Sequence, residues 1–443
     1  MIPRLSIRRW ITAIAVALAL VVDAQADDEF EHAPIKYSAS EPNNEVSRLQ
    51  GQLDRQERKL PYDERKGYLP AILDALGIPV ESQLLVFSKT SMQRSRISPR
   101  TPRAIYFSDD VYVGYCQGGD VVELAVADPQ LGAVFYTANQ QDDARTVLTR
   151  QTQSCLQCHG TTQVQGIPGL LTRSVYVNSS GVPRLSEGSH RVDHTTPLKD
   201  RWGGWYVTGH HGKQTHLGNL IVRDDDARQP FDNADGLNLT DLTGRFRVAN
   251  YLASHSDIVA LMVFEHQLLI HNLLTKANFE TRRALYYEAS LNRALGDPVD
   301  NRLDSTTRRI ADVGDRLVEG LLFANEAPIT ESISGTSTFA EGFSQHGPRD
   351  DQGRSLRDLD LHRRTFKYPC SYLIYSPVLD GLPDAVKSYV ANRLRDVLTG
   401  HVNGENFKHL SADDRVAILE ILRATKPDLW TPQQTKAPPA TSS

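Results

Sequence analysis

Residues 104–139 read "AIYFSDDVYVGYCQGGDVVELAVADPQLGAVFYTAN", and no other stretch restricts the fold so tightly. Segments 104–107, 111–117, 121–127 and 133–139 are rich in β-branched and aromatic residues, which suit a pleated surface. Asp109-Asp110, Gly118-Gly119-Asp120 and Asp128-Pro129 separate them with turn-forming residues. Connections this short join antiparallel neighbours, because a parallel crossover needs a dozen residues or more. An antiparallel meander is expected, with residues 84–87 as a weaker strand ahead of it. A short helix over 145–151 would leave the meander. "RSVYVNSSGVPRLS" then reads as a hairpin, and "GGWYVTG" and "HLGNLIV" as two further strands.

Beyond residue 250 the period changes from two to about 3.6. A long helix is expected from Asp257 to about Asn292, with Ser254 and Ser256 as cap candidates. Ile310, Val313, Leu317, Leu321 and Leu322 mark a second helix over 305–325, and two more fit 384–399 and 412–424. "SISGTSTFAEGFSQHGPRDDQGRS" reads as a surface loop rich in glycine and serine. "GYLPAILDALGIP" carries a short helix after Tyr68, closed by Gly77. Residues 27–62 are polar and charged and read as a linker, helical in part, while residues 431–443 read as a disordered tail. The fold class expected is α+β: a β-rich unit over 63–250, then a mainly helical region over 251–430 packed on it.

Residues 1–26 have the plan of a secretory signal peptide. Arg4, Arg8 and Arg9 precede an apolar run from Trp10 to Val22, and Ala24-Gln25-Ala26 offers a small-x-small cleavage site. Removing this leader takes away Arg4, Arg8, Arg9 and Asp23, so the formal charge moves from −5 to −7. A mildly acidic chain without basic runs is a poor partner for nucleic acid. No membrane span is expected after cleavage, because no later segment reaches the roughly 20 apolar residues a spanning helix needs. A periplasmic or otherwise exported protein is expected.

In that compartment the four cysteines need explaining. Four are too few for a disulfide framework in a chain of 443 residues. Cys116 and Cys370 stand alone and are expected as two unpaired thiols, with a bridge between them as the alternative. Cys155 and Cys158 lie in "SCLQCHG", with His159 directly behind. A structural zinc site would need a second ligand pair, and none is present. A thioredoxin-like pair sits at a strand-to-helix junction of a βαβ unit, which a meander does not supply. Haem c accounts for all three residues, the two thiols adding to the vinyl groups and the histidine lying under the iron.

This pentapeptide resembles the attachment site of the c-type cytochromes. The resemblance implies that Cys155 and Cys158 carry thioethers to one haem and that His159 is its axial ligand. "SPRTPRAIYFSDDVYVGY", "RWGGWYVTGHHG" and "KYPCSYLIYSP" are similar to a family of exported bacterial proteins with one such site, which implies no particular activity. Small cytochromes c carry the motif near the start of a helical domain, with a methionine ligand some tens of residues later. Here the methionines are Met1, Met92 and Met262, so none follows the motif for about a hundred residues. Candidates for a sixth ligand are His190, His194, His210, His211, His216 and Met262, and an open iron is the remaining option. His266 and His271 are five apart, share no helix face, and read as core residues.

The function expected is electron transfer by an exported mono-haem cytochrome with a redox partner protein. No Rossmann fingerprint, phosphate loop, HExxH helix or Gly-x-Ser-x-Gly elbow occurs. A haem-dependent oxidoreductase with an open iron is the alternative, since a carrier alone needs far fewer residues. A haem sensor of PAS or Cache type is a third class, for which no output domain is visible.

Overall fold

The computed structural model describes residues 29–142, 148–223 and 231–430. The signal peptide expected over 1–26 and the tail over 431–443 lie outside them. Strands β1 (Leu84–Val86), β2 (Arg103–Phe107), β3 (Val111–Tyr115), β4 (Val121–Asp128), β5 (Gly132–Asn139) and β6 (Leu148–Gln151) form the meander. With β9 (Trp205–Tyr206) they make one antiparallel sheet in the order β6-β5-β4-β3-β2-β1-β9. A two-stranded sheet joins β7 (Arg173–Val175) to β8 (Ser189–Arg191). The α+β class stands.

Cross-strand partners share a face, and alternate residues lie on opposite faces. Val113, Leu124, Tyr136 and Arg150 lie in one row of paired residues, on the face turned to the N-terminal segment. The expected polar linker is built into that layer. Phe30, Ile35 and Tyr37 are buried, and helix α1 (Glu45–Asp54) buries Val46, Leu49 and Leu53. Asn44 and Ser47 close a capping box at its start, and Arg150 donates to the carbonyls of Tyr37 and Ser40. The large apolar groups here are sparse but buried, so the polar average of the segment is misleading.

Helix α2 (Leu69–Ala75) follows, and α3 (Leu156–His159) is a single turn after β6. The expected helix over 145–151 is corrected. Its described part, Leu148–Gln151, is a strand paired with β5, the Ala138↔Leu148 register burying Leu148 at the sheet edge. The Asn178–Gly181 turn forms as expected, with a Val177↔Pro183 bridge, but β7 finds its strand partner in β8. "HLGNLIV" makes only a bridge from Val222 to Asn178.

The opposite sheet face takes α4 (Ile258–Leu295). Asp257 caps it by accepting from the Val259 and Ala260 amides, while Ser256 serves β1 instead, accepting from Leu85 N–H. Phe264 packs on Phe107 and Tyr112 at 5.3 and 5.7 Å between ring centres. By length and composition α4 would suit a membrane crossing, but 89% of its most apolar stretch is buried within the protein. Helices α5 (Asp304–Leu321), α6 (Phe339–Gln345), α7 (Pro377–Asp380), α8 (Asp384–Leu398) and α9 (Ala412–Thr425) complete the far layer. The expected surface loop over 332–355 contains α6, which buries Phe339 and Phe343 against Phe107, Phe366 and Tyr372. One continuous apolar core links the N-terminal segment, the sheet and all of these helices.

Candidate functional site

The turn that leaves β6 places Cys155 at the start of α3. Its carbonyl accepts from the amides of Cys158 at 3.2 Å and His159 at 2.9 Å. Residues three and four apart on a helical turn are neighbours. Cys155, Cys158 and His159 therefore lie on one side of a single turn. Cys155 is half-buried and Cys158 exposed, and neither is in a disulfide. Burial pushes the Cys155 thiol up to about 11, so it is held protonated at neutral pH.

His159 is half-buried against Phe135 of β5, with ring centres 4.9 Å apart. Desolvation lowers its pKa, which keeps the ring neutral. Its Nδ1 lies 2.9 Å from the Gly169 carbonyl oxygen. A carbonyl only accepts, so Nδ1 carries the proton and Nε2 keeps its lone pair. Nε2 has no hydrogen-bond partner among the described residues. Fixing one ring nitrogen through a backbone carbonyl is how proteins orient a histidine for a metal at the other.

The carbonyl is itself held. Gly169 N–H donates back to the His159 carbonyl at 2.8 Å. The next residue, Leu170, is clamped by Asn272 of α4: its amide donates to Oδ1 at 2.8 Å and its carbonyl accepts from Nδ2 at 2.7 Å. Gly169 is required at this contact, because a Cβ there would lie 2.8 Å from Asn272 Oδ1 and 3.0 Å from Val164 Cβ. Gly169, Asn272 and Phe135 are absent from the sequence-derived site. The one signal for Asn272 is an amide within the apolar run "LLIHNLLT".

The other candidate ligands are dispersed. His194 and His266 bond to each other through their Nδ1 atoms at 2.9 Å, and His266 Nε2 meets Ser371 Oγ at 2.8 Å, all three residues being buried. His211 and His216 lie edge to face with centres 4.7 Å apart, and His211 Nε2 accepts from the Asn238 amide. His190 is exposed on β8, and His210 is exposed beside Ser334. Met262 is buried within α4. Met92 is 53% exposed, in a loop whose Ser91 and Gln93 donate to Glu123. None of these side chains shares a hydrogen bond or ring contact with His159 among the described residues. No cluster of three or more His, Cys, Asp or Glu suited to a metal ion occurs among them either. His271 is a core residue as expected: it accepts from Tyr112 O–H at 2.8 Å and donates to Asp110 at 3.1 Å. Cys116 and Cys370 are both buried and unpaired.

No protein-family model, curated protein or solved structure matches the chain.

Proposed function

We propose that this chain is an exported mono-haem c protein that passes single electrons to and from a redox partner protein. Cys155 and Cys158 would bind the haem through thioethers, and His159 would ligate its iron through Nε2. The bound haem would supply a one-electron iron couple. The observation that carries this proposal is the state of His159. Its neutral ring, its Nδ1 proton given to Gly169 and its unpartnered Nε2 are what an axial ligand needs, and they occur in the one histidine that follows a Cys-x-x-Cys pair. The chain's own contribution is to orient that ring and to keep Nε2 deprotonated.

The test is a pyridine haemochrome spectrum on protein exported from cells competent in haem attachment. A c-type signal of one haem per chain is expected. Cys155→Ala or Cys158→Ala should shift it towards that of a haem with a single thioether, and Cys155→Ala/Cys158→Ala should abolish it. A parent protein that acquires no covalent haem sinks the proposal. A second function, an oxidoreductase with an open iron, is favoured by one observation: His194 spends Nδ1 on His266 and His211 spends Nε2 on the Asn238 amide, so these candidate ligands are already engaged elsewhere. Carbon monoxide separates the two, since it perturbs the spectrum of an open ferrous iron and leaves a six-coordinate one unchanged. If the iron is six-coordinate, single replacement of His190 and Met92 is the first step in locating the ligand.

A further inference from the structure

Beside α3, the face of the sheet that carries Phe135 is only partly covered. Along β4 every residue of the opposite face, Val122, Leu124 and Val126, is buried, whereas Val121, Glu123 and Ala125 on this one are half-exposed. Helix α4 covers the end near Phe107 and Tyr112, and Ser91 and Gln93 bond to Glu123 from one side, which leaves Val121, Ala125 and Thr137 half-exposed. The register fixes what lies there. Tyr112, Ala125 and Phe135 form one row, and Gly114, Glu123 and Thr137 the next. Successive positions on one face lie about 7 Å apart along a strand, and neighbouring strands about 5 Å apart. Glu123 thus lies within about 9 Å of Phe135, and so beside the ring of His159.

Arg103 of β2 is on the same face, two positions from Ile105, the cross-strand partner of Gly114. Its guanidinium reaches across β3 to Glu123, forming a half-buried ion pair. Only glycine permits this path, because a Cβ at Gly114 would lie 2.2 Å from Arg103 Nη2 and 2.7 Å from Cζ. Arg103 Nε is buried yet has no hydrogen-bond partner among the described residues. An orphaned guanidinium N–H is a costly feature, and an anionic oxygen is the partner that suits it. The charges of Arg103 and Glu123 are both felt at Cys155 and at His159.

We infer that this uncovered sheet face is the bed of the haem, and that Arg103, held in place by Glu123 over Gly114, binds the carboxylate edge of the macrocycle. The inference rests on the haem c proposal. It assigns Arg103 a positioning role and makes it a determinant of the iron's potential. A cation beside the haem favours the ferrous state, and its pairing with a propionate keeps that group ionised to lower pH.

The experiment is redox titration of the exported protein against pH, for the parent, Arg103→Leu, Arg103→Lys and Glu123→Gln, each first shown by haemochrome to carry haem. Arg103→Leu should lower the midpoint potential and move its pH-dependent segment to higher pH. Glu123→Gln should raise the potential, and Arg103→Lys should restore part of the parent behaviour. A thermal midpoint measured in parallel identifies a merely structural role. Variants that lose stability while potential and pH profile stay at parent values overturn the inference, as does a fully unchanged set. Should Arg103→Leu fail to fold, Arg103→Lys and Glu123→Gln carry the test by the same criteria. Absence of haem from the parent is a different failure, which removes the haem proposal itself.

Discussion

Replacing Asn272 by leucine keeps the apolar bulk of a buried position on α4 and removes both polar atoms that hold Leu170. The Leu170 amide and carbonyl, bonded at 2.8 and 2.7 Å in the parent, would then face an aliphatic group with no water to replace the lost partners. A buried backbone group left unpaired costs about 1–3 kcal/mol, so losing two should cost Asn272→Leu about 2–6 kcal/mol of stability. Urea unfolding measures this as a fall in the midpoint at constant slope. The same change loosens the segment that presents the Gly169 carbonyl, so under the haem c proposal a weakened or heterogeneous proximal-ligand spectrum is also expected. Gly169→Ala strikes the same contact from the other side, and two lesions at one contact should be less than additive when combined. A loss below about 1 kcal/mol for Asn272→Leu, or strict additivity with Gly169→Ala, would refute the clamp.

The buried histidines predict acid sensitivity. Burial pushes His194 down to about 4 and lowers His266 well below its ordinary value, so both are neutral in the folded protein. Unfolding restores a pKa near 6.5, so the unfolded chain gains protons first as pH falls. Stability is therefore full above about pH 6.5 and falls towards pH 4, with about 3 kcal/mol expected from His194 alone. Urea midpoints between pH 4.5 and 7.5 should show this slope, and His194→Phe should flatten it; an equal slope in both proteins argues against the assignment. Glu265 receives bonds from buried Arg201 and from Trp202 Nε1, so Glu265→Leu strands a buried cation and should cost about 3–5 kcal/mol. Arg201→Ala/Glu265→Leu should be less costly than the sum of its parts, and additive losses would count against a direct pair. Tyr112→Phe removes a hydroxyl that accepts from Gln267 and donates to His271; a loss of about 1–3 kcal/mol is expected, read by chemical denaturation and contradicted by a neutral result.

The meander was legible because its signals are local. Val111, Val113, Val122, Leu124 and Val126 alternate or run together between short turns, and the structure pairs them in the order written. Strand β6 was not, since Leu148 is its only buried apolar residue and its edge position is set by β5, not by its own composition. The N-terminal segment was misread for a related reason: Phe30, Ile35 and Tyr37 follow no strand or helix period, and their burial depends on distant partners such as Ala133 of β5 and the turn at Gly160. At the candidate site, Cys155, Cys158 and His159 were visible as a motif. Asn272, Gly169, Arg103 and Glu123 act through pairings across 10 to 102 residues of chain, and spacing along the sequence holds no trace of such contacts. The histidine-rich loops illustrate the converse. Five histidines close in sequence separate in space because His194 turns to α4 while His211 and His216 turn to each other.

The Asn272 clamp has a consequence for the order of events during maturation. Leu170 and Asn272 are 102 residues apart, so a chain threaded from its N-terminus presents Cys155, Cys158 and His159 well before their anchor arrives. During that interval the motif is an accessible, unoriented peptide, which is the form an attachment enzyme can grip. Arrival of α4 then locks the ring of His159 in place. Under the haem c proposal, covalent loading and final folding would thus be separated in time, and a slow-emerging C-terminal half would widen the window for the first step.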